Sequence, residues 1–148
     1  MMGARRVGLY VSNNPKGSKM MNTTEQRTEV ATLLAASEIK RARVTNFQNQ
    51  DIGDINEMLI EPNTGQIRFA VVSVGGFLGL GSTKVAVPWL AFQMVTERGK
   101  IKQLMLDAIK ERLEKAPRVE GKNYQRLYPA EAAEPIFVYW DVEWVASP

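Results

Sequence analysis

The chain contains neither cysteine nor histidine. Without thiolate or imidazole there is no Cys or Ser–His nucleophile system, no Cys/His zinc site and no disulfide framework. The side chain that ordinarily titrates near neutral pH is missing as well. Compartment stays open on this ground, because oxidising and reducing surroundings both tolerate a lack of cysteine. Long apolar runs are also missing. The longest uncharged stretch, Phe69 to Thr83, is rich in glycine and shorter than the roughly 20 residues a spanning helix needs. Arg5-Arg6 is followed only by Val7 to Val11 before the polar Ser12-Asn13-Asn14-Pro15, too short for the apolar core of a secretory signal. A cytoplasmic protein without a membrane span is the expectation.

What is present suits one globular domain. The 148 residues are 45% apolar and 24% charged, enough for a single core. The pI of about 9.3 invites a nucleic-acid reading, but the charge is unevenly placed. Residues 1–20 hold Arg5, Arg6, Lys16 and Lys19 and no acid; the whole chain is +3, which leaves −1 for residues 21–148. A basic pI made by one arm is weak evidence for a nucleic-acid-binding face. Three regions follow: a flexible N-terminal arm over residues 1–30, a strand-rich domain over 31–117, and an aromatic-rich C-terminal extension over 118–148. The arm is either an electrostatic element, a solvated tail, or the product of a start codon upstream of Met20 or Met21.

The middle region reads as six strands. Arg43 to Phe47 alternates apolar and polar, and Gln48 to Asp51 supplies a turn in which Asn49 can take a left-handed conformation. Ile52 to Ile60 is a second strand whose alternation slips at Met58-Leu59-Ile60, as at a bulge. Glu61-Pro62-Asn63-Thr64-Gly65 is the clearest hairpin, with Gly65 at positive φ. Gln66 to Val74 follows, apolar on both faces in its later half. Lys84 to Pro88 is a fourth strand, which Pro88 ends or places at an edge. Phe92 to Val95 and Ile101 to Leu106 are joined around Glu97-Arg98-Gly99-Lys100. Such strands suit a small barrel or a sandwich.

One short helix is expected after them, with Asp107 as N-cap, Ile109 and Leu113 docked on the sheet, and Pro117 as stop. Lys110, Glu111, Arg112, Glu114 and Lys115 then face water. The segment Ile136 to Trp144 alternates enough for one more strand. Its aromatics are too much apolar area for water, so it packs on the barrel or on a second subunit.

Val74-Gly75-Gly76-Phe77-Leu78-Gly79-Leu80-Gly81 followed by Lys84-Val85-Ala86-Val87-Pro88-Trp89 resembles the PRC-barrel signature. There a long strand ends in a GGFLG-type loop and the next closes with V-x-V-P-W. Ile52-Gly53-Asp54-Ile55 and Glu61 to Ile67 are similar to the family's first hairpin, and Asp107 to Pro117 to the extension of small stand-alone members. The likeness spans residues 34–117. It implies an all-β fold, a six-stranded antiparallel barrel with a short C-terminal helix and extended N- and C-terminal segments. It also implies assembly and regulation, as in the cytoplasmic barrel of the photosynthetic reaction centre and that of the ribosome maturation factor. Gln48-Asn49-Gln50 stands where the family often places glycine, and Ser82-Thr83 where a charged residue is frequent.

No catalytic, cofactor-binding or metal residues are assigned. The glycine-rich loop is followed by a strand and lacks the Lys-Ser/Thr ending of a phosphate loop. Asp51, Asp54 and Glu57 do not converge on a strand. Glu57 and Glu61 have nothing to set their roles apart as paired catalytic acids. The candidates are protein contacts. Phe77 and Leu78, at the loop tip, either plug one barrel end or project to another chain. Trp89 caps a barrel end, and Tyr139, Trp140 and Trp144 reach the barrel or a partner subunit. The expected role is a non-catalytic interaction module that self-associates as a dimer. The alternative is an RNA- or ribosome-associated factor using the arm with Lys40, Arg41 and Arg43.

Overall fold

The computed structural model describes residues 33–75 and 82–145. The N-terminal arm and the loop tip with Phe77 and Leu78 lie outside the described residues. A short helix α1 (Ala36–Arg41) precedes six strands: β1 (Arg43–Thr45), β2 (Asp51–Glu61), β3 (Gln66–Gly75), β4 (Ser82–Pro88), β5 (Phe92–Glu97) and β6 (Lys100–Leu106). Two helices follow, α2 (Lys110–Glu114) and α3 (Ala130–Tyr139). Each of the six strands expected in the middle region is present, within a few residues of its expected bounds.

The turns form for the reasons their residues give. Asn49 has φ +65°, and the buried Asn46 accepts hydrogen bonds from the Gln48 and Gln50 amides at 2.9 and 3.0 Å. A side-chain oxygen thus stands in for a backbone turn partner. Gly65 has φ +75° and its N–H donates to the Glu61 carbonyl at 2.8 Å. Arg98 and Gly99, at +56° and +76°, close the β5–β6 hairpin. The ladder of β2 and β3 shifts register between Leu59 and Ile60, at the slip in alternation, and again between Ile55 and Glu57.

The expected closed antiparallel barrel is corrected in two respects. The strands form one sheet in the order β4-β3-β2-β1-β6-β5, with no ladder between β4 and β5 among the described residues, and β1 pairs with β6 in parallel. The mixed sense has a countable cause. The chain reverses at β1–β2, β2–β3, β3–β4 and β5–β6, but not between β4 and β5. There Pro88 ends the ladder and a single 3-10 turn, Trp89–Ala91, leads straight into β5. Four reversals return β6 in the sense of β1.

The sheet is nevertheless strongly coiled. Laid flat, its two outer strands would stand about 24 Å apart, at about 4.8 Å per gap. The four steps from Pro88 to Phe92 span at most about 14 Å. Both faces of this curl are buried: the β3–β4 register puts Val72, Val85 and Val87 on one face and Phe69 and Val71 on the other, and all five are buried, as are Val44, Leu104, Leu106 and Leu113.

The two terminal helices also depart from expectation. In α2 the N-cap position is Ile109, not Asp107, and it makes no side-chain cap. Ile109 is exposed while Leu113 is fully buried. Five residues make little more than one turn, so only one of the two apolar side chains can face the sheet. The segment Ile136 to Trp144, expected as a further strand, instead begins in the last turn of helix α3 and forms no strand beyond it. Ala133, Ile136 and Phe137 in the helix and Trp140 at its C-cap are buried, at i, i+3, i+4 and i+7, the stripe of a helix packed on one face. Val138, which alternation pairs with Ile136 and Trp140 on one face, is exposed.

Candidate functional site

The aromatic extension is expected to reach the barrel or a partner. Its rings are packed on the chain's own sheet, held by two arginines. Arg68, on β3, places its guanidinium 5.3 Å from the Phe137 ring centre and 4.8 Å from that of Trp144. Its Nη2 donates to the Val145 carbonyl at 3.0 Å. Phe137 in turn meets Phe69 edge-on at 5.5 Å and Trp144 at 5.2 Å. A planar cation between two rings, with its N–H groups directed at a carbonyl, is a geometry lysine cannot reproduce.

Arg112, on α2, does the same beside it, at the last residues of α3. It lies over Trp140 at 4.9 Å and Tyr139 at 5.7 Å, donates to the Tyr139 carbonyl at 2.8 Å and pairs with Asp141. The Tyr139 hydroxyl donates back to the Arg112 carbonyl at 2.7 Å. The charge run of α2 therefore does not face water throughout, because Arg112 turns in to clamp the extension. Trp140 is buried and its indole N–H donates to the Ala86 carbonyl at 3.2 Å. Of the expected contact residues, Trp140 and Trp144 thus meet their own sheet, Tyr139 meets Arg112 of α2, and Trp89, half-buried at the β4–β5 corner, lies 5.6 Å from Phe92.

The extension also covers a strand edge. Arg118 bridges to Val85, the Ala86 N–H donates to Pro117, and the Val119 N–H donates to Lys84. With Trp140 on the Ala86 carbonyl, both outward backbone groups of Ala86 are occupied. Pro88, two residues on and of the same parity, has no N–H to leave unpaired. The edge of β4 is therefore closed by the chain itself. The opposite edge differs. Among the described residues, β5 makes no backbone pairing beyond β6.

The remaining candidates are separated by the fold. Asp51 forms a two-point ion pair with Arg43, and Glu57 lies 3.6 Å from Lys40. Two cations considered for RNA contact thus have carboxylate partners. Among the described residues no group of three acids is placed to hold a metal ion, and no helix is long and apolar enough to cross a membrane.

Arg68 and Arg112 are not singled out by sequence reasoning. Each lies in a locally polar position, and its aromatic partners are far along the chain. The helical stripe from Ala133 to Trp140 is the available signal. It turns the tail toward the sheet and calls for cations to meet its rings.

A family model described as PRC-barrel domain matches residues 31–113. No curated protein matches the chain.

Proposed function

Because the chain belongs to the PRC-barrel domain family, we propose that it is a non-catalytic module for protein–protein assembly or regulation in the cytoplasm, and that it pairs with itself as a dimer through β5. The observation that supports this reading is the unequal treatment of the two sheet edges. The chain closes the edge of β4 with Pro88, the 117–119 segment and Trp140. The β5 edge has no such cover among the described residues. An unpaired edge offers a row of N–H and C=O groups to another strand. Its side chains suit pairing: Met94, Val95 and Thr96 are half-buried rather than charged.

Lysine on an edge strand blocks edge-to-edge pairing by placing like charges opposite one another. Gln93→Lys with Thr96→Lys is expected to convert a dimer into a monomer in sedimentation equilibrium at protein concentrations near 100 μM, with circular dichroism unchanged. A wild-type monomer at that concentration, or a dimer indifferent to both lysines, contradicts the proposal.

A further inference from the structure

Glu61 closes β2, and its backbone is held by the hairpin, whose Thr64 and Gly65 amides both donate to its carbonyl. It pairs with Gln66, so its side chain shares a face with Gln66 and Arg68. Gln66 is exposed there, but the Glu61 side chain is only 3% exposed, and Arg68 approaches its Oε1 at 3.7 Å, an ion pair beyond hydrogen-bond reach. Its second oxygen, Oε2, is buried and makes no hydrogen bond among the described residues. Arg68 is already committed to Val145 and to the rings of Phe137 and Trp144. A buried acceptor without a donor costs free energy that some other contact must recover.

Glu61 lines a groove of about 480 Å³ between β2 and the 3-10 turn Tyr124–Leu127. Met58, Ile60, Tyr124, Leu127 and Tyr128 give it apolar and aromatic walls, and Glu57, already paired with Lys40, is a second acid on its lining. A carboxylate short of a donor beside aromatic walls fits a cation on an apolar stem, with the rings facing the charge. The rim decides the source. Ile60 and Tyr128 are 58% and 55% exposed, so the apolar surface continues outward past the space a single side chain fills.

We propose that this groove receives a lysine or arginine side chain of a partner polypeptide, flanked by apolar residues, toward which the Glu61 carboxylate turns so that the enclosed Oε2 gains the N–H donors it lacks. The inference rests on the reading of the protein as an interaction module but not on the β5 edge.

The test uses three probes titrated into the isotopically labelled full chain and followed by backbone amide NMR. They are the peptide acetyl-Ala-Phe-Lys-Leu-Ala-amide, its norleucine counterpart lacking only the ammonium group, and hexylamine. The lysine peptide is expected to shift the amides of Glu61, Tyr124 and Tyr128 and to bind at least tenfold more tightly than either other probe. Glu61→Gln should remove that advantage while leaving norleucine binding unchanged. Tyr128→Ala, at an exposed position, should weaken the lysine peptide severalfold and serves if Glu61→Gln perturbs the fold. Equal binding of the norleucine peptide, hexylamine as tight as the lysine peptide, or no shift at millimolar lysine peptide would each overturn the proposal. A protein that dimerises through β5 yet ignores the peptide loses the groove alone. A monomer that binds it loses the edge alone.

Discussion

Gly53 lies on β2 directly against β3. A Cβ built there would stand 2.8 Å from the Ser73 carbonyl oxygen and 2.8 Å from Val72 Cγ1. One of these is backbone in a paired strand, so neither simply moves aside. Gly53→Ala should therefore lower stability by about 1–3 kcal/mol, the usual cost of overpacking, read as a lower urea midpoint with unchanged slope. Asn46 makes a complementary case. It is buried, accepts from two amides and donates to Gln50 Oε1 at 2.7 Å. Asn46→Ala leaves those amides seeking water and should cost about 1–3 kcal/mol. Asn46→Asp keeps the oxygen that accepts from both amides and should cost less in the same assay.

The element that changes the account most is α3. Its helix-forming Ala130 to Ala133 and its stripe of Ala133, Ile136, Phe137 and Trp140 are legible, yet the same residues also satisfy alternation from Ile136 onward. Pro135 inside the helix argues further against one. Packing settles the choice. As a helix the segment puts Phe137 between Phe69, Trp144 and Arg68, whereas a strand would leave every second ring in water. The strands and turns are readable because alternation, Asn49, Gly65 and Pro88 act locally. The roles of Arg68 and Arg112 are not, since each depends on rings brought from far along the chain. Phe137→Ala should destabilise by about 3–5 kcal/mol, measured by thermal unfolding. Arg68→Ala should release Trp144, seen as a red shift of tryptophan emission in a chain that remains folded.

At the scale of the molecule, the coil of the sheet and the sense of its strands follow from one corner. Pro88 and the turn Trp89–Ala91 carry the chain from one outer strand to the other without reversing it. The sheet therefore curls without a ladder to close it, and two edges exist where a barrel has none. One is covered by the chain's own extension; the other is the proposed pairing surface. Hydrogen–deuterium exchange of the full chain at low and high protein concentration separates these edges in a single experiment. The Ala86 amide should be protected at every concentration, while the outward amides of β5 exchange freely when dilute and slow as the protein is concentrated. Protection of β5 that does not change with concentration, or an Ala86 amide as labile as those of an open edge, would contradict the account.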